Sequence, residues 1–182
     1  MNARDLSYIA VSTALIAVSA WLAVPFGEVP ITMQTAVICL IAGLLGAKRA
    51  AFAVTAYIFL GAVGVPVFAG FTGGVARLIA PMGGYIVGFL PLAIAVGLVA
   101  DRTKKMKKRG GVYLAAAMAL GMLLCYALGT AWFVVVTAQN GGGVGVWAAL
   151  SLCVFPYLPF DIAKIALAVF LTLKLNRFIK TA

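Results

Sequence analysis

The chain is expected to fold as an all-α membrane protein with six transmembrane helices and both termini in the cytoplasm. Composition, the length of the apolar runs and the sidedness of the basic residues carry that expectation. Of its 182 residues, 65% are hydrophobic and only 10% charged. A soluble domain of this size has too small an interior to hide that much apolar surface, and the remainder would be exposed and adhesive. Lipid removes the difficulty. A transmembrane helix needs roughly 20 apolar residues, so six fit with short loops. The runs are too long and continuous for the alternating pattern of a membrane barrel. Residues 1–182 are read as a single transmembrane domain.

The first predicted helix lies near 6–24. No convincing small-residue cleavage site follows a short apolar core there, so it is read as a retained helix rather than a signal peptide. The second helix is placed near 34–47, the third near 50–64, the fourth near 83–100 and the fifth near 112–137. The last apolar stretch, 146–176, is interrupted by Pro156 and Pro159. Proline is tolerated in a helix's first turn, so this stretch splits into a short lead-in and a sixth helix starting close to Pro159.

The basic residues sort onto one side of this arrangement. Arg4 precedes the first helix, and Lys48 and Arg49 join the second to the third. Arg102, Lys104, Lys105, Lys107, Lys108 and Arg109 join the fourth to the fifth, and Lys174, Arg177 and Lys180 close the chain. Only Arg77 falls in an opposite loop, and Lys164 lies within the sixth helix. The positive-inside rule then places both ends in the cytoplasm. Topology also accounts for the net charge of +10 without nucleic acid as a partner.

The opposite loops differ in kind. Residues 25–33 hold two prolines and Glu28; residues 65–84 hold two prolines, five glycines and Arg77; residues 138–145 are glycine-rich. Irregular backbone at membrane depth is tolerated where it lines a cavity or is covered by protein. The long 65–84 connection therefore reads as a lid or re-entrant segment rather than a slack linker.

Few residues could carry chemistry. Histidine is absent, and of four carboxylates Asp5 and Asp101 lie at the cytoplasmic edge. No serine is paired with a base, and no Walker A sequence is present, so catalysis by this chain is not expected. Cys39, Cys125 and Cys153 are far apart in apolar contexts, with no disulfide framework or metal-ligand spacing; they read as small packing residues. No cofactor is implied.

The strongest local signal is Pro156-Tyr-Leu-Pro-Phe-Asp161-Ile-Ala-Lys164. Charges inside an apolar helix are costly, and they usually face an interior or water and find partners. Asp161 and Lys164 are three apart and share a face, so they can pair with each other or divide a ligand between them. Asp161 also lies near a helix start, where the macrodipole favours negative charge. Arg77, among glycines and apolar residues, is expected to be partly desolvated and suited to a carboxylate, with a lipid headgroup as the plainer partner. Thr32 and Gln34 can bond a polar ligand head or cap the second helix. Phe68, Phe71, Tyr85 and Tyr157 can stack on a ring. Ala10 and Ala14, with Ala17 on the same face, give the first helix a small-residue spacing that admits a second helix closely.

With these residues in hand, the chain resembles the BioY family, the biotin-binding S components of energy-coupling factor (ECF) transporters. The resemblance runs over roughly 8–175. It is carried by Val29-Pro-Ile-Thr-Met-Gln-Thr35, Leu60-Gly-Ala-Val-Gly-Val-Pro-Val-Phe-Ala-Gly70, Gly73-Gly74, Pro81-Met-Gly-Gly-Tyr-Ile-Val-Gly-Phe89 and Pro156–Lys164, in the family's order and spacing. Met82 stands where the family usually has a small or hydroxyl residue, and Phe160 near a frequent glycine.

The resemblance implies a six-helix S-component fold holding the vitamin near the outer face. It further implies that the alanine face of the first helix meets a transmembrane T component linked to two cytoplasmic ATPase subunits. Such proteins topple within the membrane to release ligand inside, and no catalysis in this chain is implied. Biotin needs an acceptor for its ureido N–H groups, an apolar wall and a cation for its valerate. Asp161 can accept, Phe68, Tyr85 and Tyr157 can wall, and Lys164 or Arg77 can meet the carboxylate; Lys164 can instead hold Asp161 in place. Two other readings stand beside this one: an S component for thiamin or riboflavin, and a structural or channel-forming membrane subunit.

Overall fold

A computed structural model describes residues 2–25, 30–103 and 110–179, with side chains described to residue 176. Glu28, Lys104, Lys105, Lys107, Lys108, Arg109, Lys180 and the side chain of Arg177 lie outside that description, so the sidedness of the basic loops is only partly visible. The described chain is a bundle of helices: α1 (Ala3–Trp21), α2 (Gln34–Leu45), α3 (Ala47–Ala62), α4 (Val75–Ile79), α5 (Gly83–Thr103), α6 (Gly110–Gln139), α7 (Val146–Cys153) and α8 (Leu158–Ile179). A single 3-10 turn, Phe155–Tyr157, carries Pro156 between α7 and α8. Among the described residues, four stretches are long and apolar enough to cross a membrane: Ala3–Trp21, Gly83–Thr103, Gly110–Gln139 and Val146–Asn176. The chain is thus a multi-pass membrane protein. Helix α2 has 12 residues and α3 has 16. At a rise of about 1.5 Å per residue, both fall short of a hydrocarbon core about 30 Å thick.

The split at Pro156 and Pro159 falls where expected, while several boundaries move for physical reasons. Helix α1 stops at Trp21 rather than near residue 24. Pro25 disfavours helical backbone just before it, and Ala23–Val24 instead pair antiparallel with Ile31–Thr32 as a two-residue ribbon, β1 and β2. Neither Thr32 nor Gln34 caps α2: its N-cap position is Met33, with no side-chain cap bond.

Helix α3 begins at Ala47, so Lys48 and Arg49 lie in its first turn and not in a loop. The dipole disfavours cations at that end. Two acids offset this: Asp101, in the last turn of α5, accepts the Ala47 N–H at 3.0 Å, and Asp5 pairs with Arg49 at 2.6 Å. The Arg49 guanidinium also lies 5.5 Å from the Tyr8 ring centroid. These contacts gather one end of the bundle.

Helix α5 is the centre of the packing, lying against α6, α3 and α2; α8 lies on α2 and α6, and α1 on α3. Thr13 stitches α1 to α3 by donating to the Ala53 carbonyl at 3.1 Å as well as to Ile9 of its own helix. The core is built from Ile16, Ile38, Val54, Tyr57, Leu92, Val96 and Met118, all almost fully buried.

The α2–α3 corner turns on Gly46, whose φ of 84° and ψ of 176° lie in a region essentially reserved for glycine. A Cβ there would also stand 2.1 Å from Asp101 Oδ1. Gly46→Ala is therefore expected to cost about 1–3 kcal/mol and to lower the melting temperature of the detergent-purified protein. An unchanged melting curve would contradict this account of the corner.

Candidate ligand-binding site

The end of the bundle opposite the Asp5–Arg49 pair holds a cavity of about 520 Å3. Its walls come from α2, α3, α5, α6 and α8 together with the 30–32 and 68–82 connections. The long connection does line a hollow: its Phe68–Thr72 turn closes on paired backbone bonds of 2.9 and 3.4 Å and supplies Phe68, Ala69 and Thr72, and α4 adds Arg77. Of the nine residues singled out as able to touch a ligand, eight line this one cavity: Thr32, Gln34, Phe68, Arg77, Tyr85, Tyr157, Asp161 and Lys164.

The polar centre is Asp161, in the first turn of α8. The Lys164 Nζ stands 2.9 Å from its Oδ1, and the two side chains are 12% and 9% exposed. Thr35 Oγ1 donates to the same oxygen at 3.5 Å, while the Tyr126 hydroxyl donates to Oδ2. Tyr126 belongs to α6 and Thr35 to α2, so three helices converge on one carboxylate. The positive end of α8 and these three donors together offset the cost of holding a charge away from water.

A second polar chain runs along the wall. Thr32 Oγ1 donates to Gln34 Oε1 at 3.1 Å, and Gln34 Nε2 donates to the Tyr57 hydroxyl at 2.7 Å. The Tyr85 hydroxyl is bonded to Thr130 Oγ1 at 3.1 Å. Phe68 is 2% exposed and meets Tyr57 edge-on at 5.5 Å between centroids.

Two glycines seat the aromatic walls: a Cβ on Gly61 would stand 2.0 Å from Phe68 Cζ, and one on Gly129 would stand 2.2 Å from Tyr85 Cδ1. Each ring lies flush on a neighbouring helix because that helix has no side chain there.

Several expectations are corrected. Arg77 is exposed, so its guanidinium is not desolvated: it sits on α4, a five-residue helix that buries none of its residues. Phe71 is not a wall. It is 63% exposed, has φ 56°, and stacks on Trp21 at 5.0 Å, while Trp21 Nε1 holds the Pro66 carbonyl at 2.9 Å. On α1, Ala10 and Ala14 are exposed, whereas Ala17 is 8% exposed and packs inside the chain.

Sequence reasoning missed Tyr126, Thr35 and Tyr57. The available signal was a tyrosine in mid-span, since a hydroxyl at hydrocarbon depth needs a partner. All three cysteines are buried, and Cys125 and Cys153 also line the cavity. Among the described residues no group of three His, Cys, Asp or Glu could hold a metal ion.

The geometry defines a class: an integral membrane protein with a mostly apolar cavity at one end and, among the described residues, a single buried carboxylate as its polar anchor. The BioY family model matches residues 1–181. The chain is 38% identical over 174 residues to the biotin transporter BioY of Thermotoga maritima, covering 96% of each. It is 35% identical over 176 residues to the probable biotin transporter BioY of Pyrococcus horikoshii, covering 97% of this chain and 98% of that one. Among solved structures, the S-component for biotin from an ECF-type ABC transporter superposes with a TM-score of 0.80 at 28% identity, covering 97% of this chain and 95% of that one. The chain therefore belongs to the BioY family.

Removing one member of a buried ion pair strands the other, at a cost of about 3–5 kcal/mol, whereas removing both can be nearly neutral. Lys164→Met is thus expected to lower the melting temperature more than the double change Asp161→Asn with Lys164→Met. Equal melting temperatures for the single and double variants would show that the pair is not coupled.

Proposed function

We propose that this chain captures biotin from the outer side of a prokaryotic cytoplasmic membrane and delivers it inward as the substrate-binding S component of an ECF-type transporter. The observation that carries this reading is Asp161, anchored by Lys164, Thr35 and Tyr126 in a cavity with aromatic walls. Relatives spanning nearly the whole chain are named as biotin transporters, and the superposing structure is named as an S-component for biotin.

The chemistry fits part by part. The ureido N–H groups donate to Asp161, and Lys164, with three donors and one spent on Asp161, can serve the ureido oxygen. Phe68, Tyr85 and Tyr157 enclose the apolar rings, with Thr32 and Gln34 along the wall. Arg77 at the rim meets the valerate carboxylate. Six helices cross, with α2 and α3 completing their spans through flanking segments, and both termini are cytoplasmic. In this arrangement the exposed face of α1 around Ala10 and Ala14 receives the T component of the module, whose two ATPase subunits supply the energy. The small side chains let the helices approach closely.

A charge-assisted hydrogen bond is worth about 1.5–3 kcal/mol, so Asp161→Asn is expected to weaken biotin binding to the purified protein by about 10- to 100-fold or more. Equilibrium binding of labelled biotin reads this directly, and unchanged affinity would remove Asp161 from the site. Ala14→Trp is expected to abolish co-purification with a T component while leaving biotin capture intact. Full co-purification would place the partner on another face.

A further inference from the structure

We propose that the cavity accepts, besides free biotin, biotin whose carboxyl group has been converted to an amide, biotinyl-lysine being the type case. The inference rests on the biotin reading above and concerns the far end of the same ligand.

The two cations that line the cavity stand in different situations. Lys164 is committed to Asp161 at 2.9 Å, and both side chains are nearly buried. Arg77 has no ion-pair partner among the described residues and is exposed, on a five-residue helix that buries none of its residues. A ligand carrying N–H groups at one end and an anion at the other therefore binds lengthwise. Its N–H end meets the enclosed carboxylate and its anion reaches the rim.

Magnitudes then decide which end is selective. At the Asp161 end, a ligand lacking the N–H groups forfeits charge-assisted hydrogen bonds to a nearly buried carboxylate, a loss of about tenfold to a hundredfold or more. At the Arg77 end, an ion pair in contact with water shifts an equilibrium by at most about fivefold. A neutral amide at that position keeps its own hydrogen bonds with water and gives up only the small Coulomb contribution. Whatever is joined to the amide nitrogen projects past α4. A cavity of about 520 Å3 lies inside the range of about 300–1,000 Å3 that accommodates drug-sized ligands. Discrimination accordingly sits at the ring end, and the carboxyl end is permissive.

Displacement of tritiated biotin from the full chain in lipid nanodiscs tests this, with unlabelled biotin, biotin carboxamide and biotinyl-lysine as competitors. Both amides are expected to displace the label within about tenfold of the biotin concentration required. In Arg77→Gln, a change confined to an exposed side chain, biotin is expected to weaken by about fivefold or less and biotin carboxamide to be unaffected. Tight biotin binding together with amides weaker by about a thousandfold or more would overturn the proposal alone, because the carboxylate would then be enclosed. Failure of tritiated biotin itself to bind would instead overturn the underlying biotin reading, and this inference with it.

Discussion

The structure depends on one carboxylate held inside a largely apolar bundle. Removing Asp161 from water costs several kcal/mol unless donors replace the hydration shell. Lys164 supplies a full charge from the next turn of α8, Thr35 a hydroxyl from α2, and Tyr126 a phenol from α6. These contacts fix where α2, α6 and α8 meet, so the same interaction organises the bundle and anchors the cavity. A site built this way favours a ligand with N–H groups, which can add charge-assisted hydrogen bonds to the carboxylate, over an apolar ligand of the same shape, which cannot.

The rest of the cavity is arranged by packing rather than charge. Gly61 and Gly129 leave room for the rings of Phe68 and Tyr85 to lie against neighbouring helices, which sets the width between the aromatic walls. The rim is looser. The loop carrying Phe68 is tied to α1 through Trp21, which stacks on Phe71 and holds the Pro66 carbonyl. Any shift of α1 would thus reach a wall of the cavity through a few contacts.

Much of this was legible in the sequence because membranes make the reading simple. Long apolar runs located the major helices, and the prolines at 156 and 159 located the break before α8. Asp161 and Lys164 stood out because two opposite charges, three residues apart in an apolar helix, have few innocent explanations. What stayed hidden was tertiary. Lys48 and Arg49 looked like loop residues because Asp101 and Asp5, which let a helix start with two cations, are distant in the chain. Tyr126 was missed because its partner lies 35 residues away on another helix. Arg77 looked desolvated because its neighbours are apolar, yet an apolar neighbourhood in sequence does not bury a short helix at a rim.

A structure of this chain with bound biotin tests the central claim most directly. The account predicts a ureido nitrogen about 2.7–3.1 Å from a carboxylate oxygen of Asp161, with the valerate directed toward Arg77. Biotin bound with its ureido group away from Asp161, or outside the cavity altogether, would contradict it.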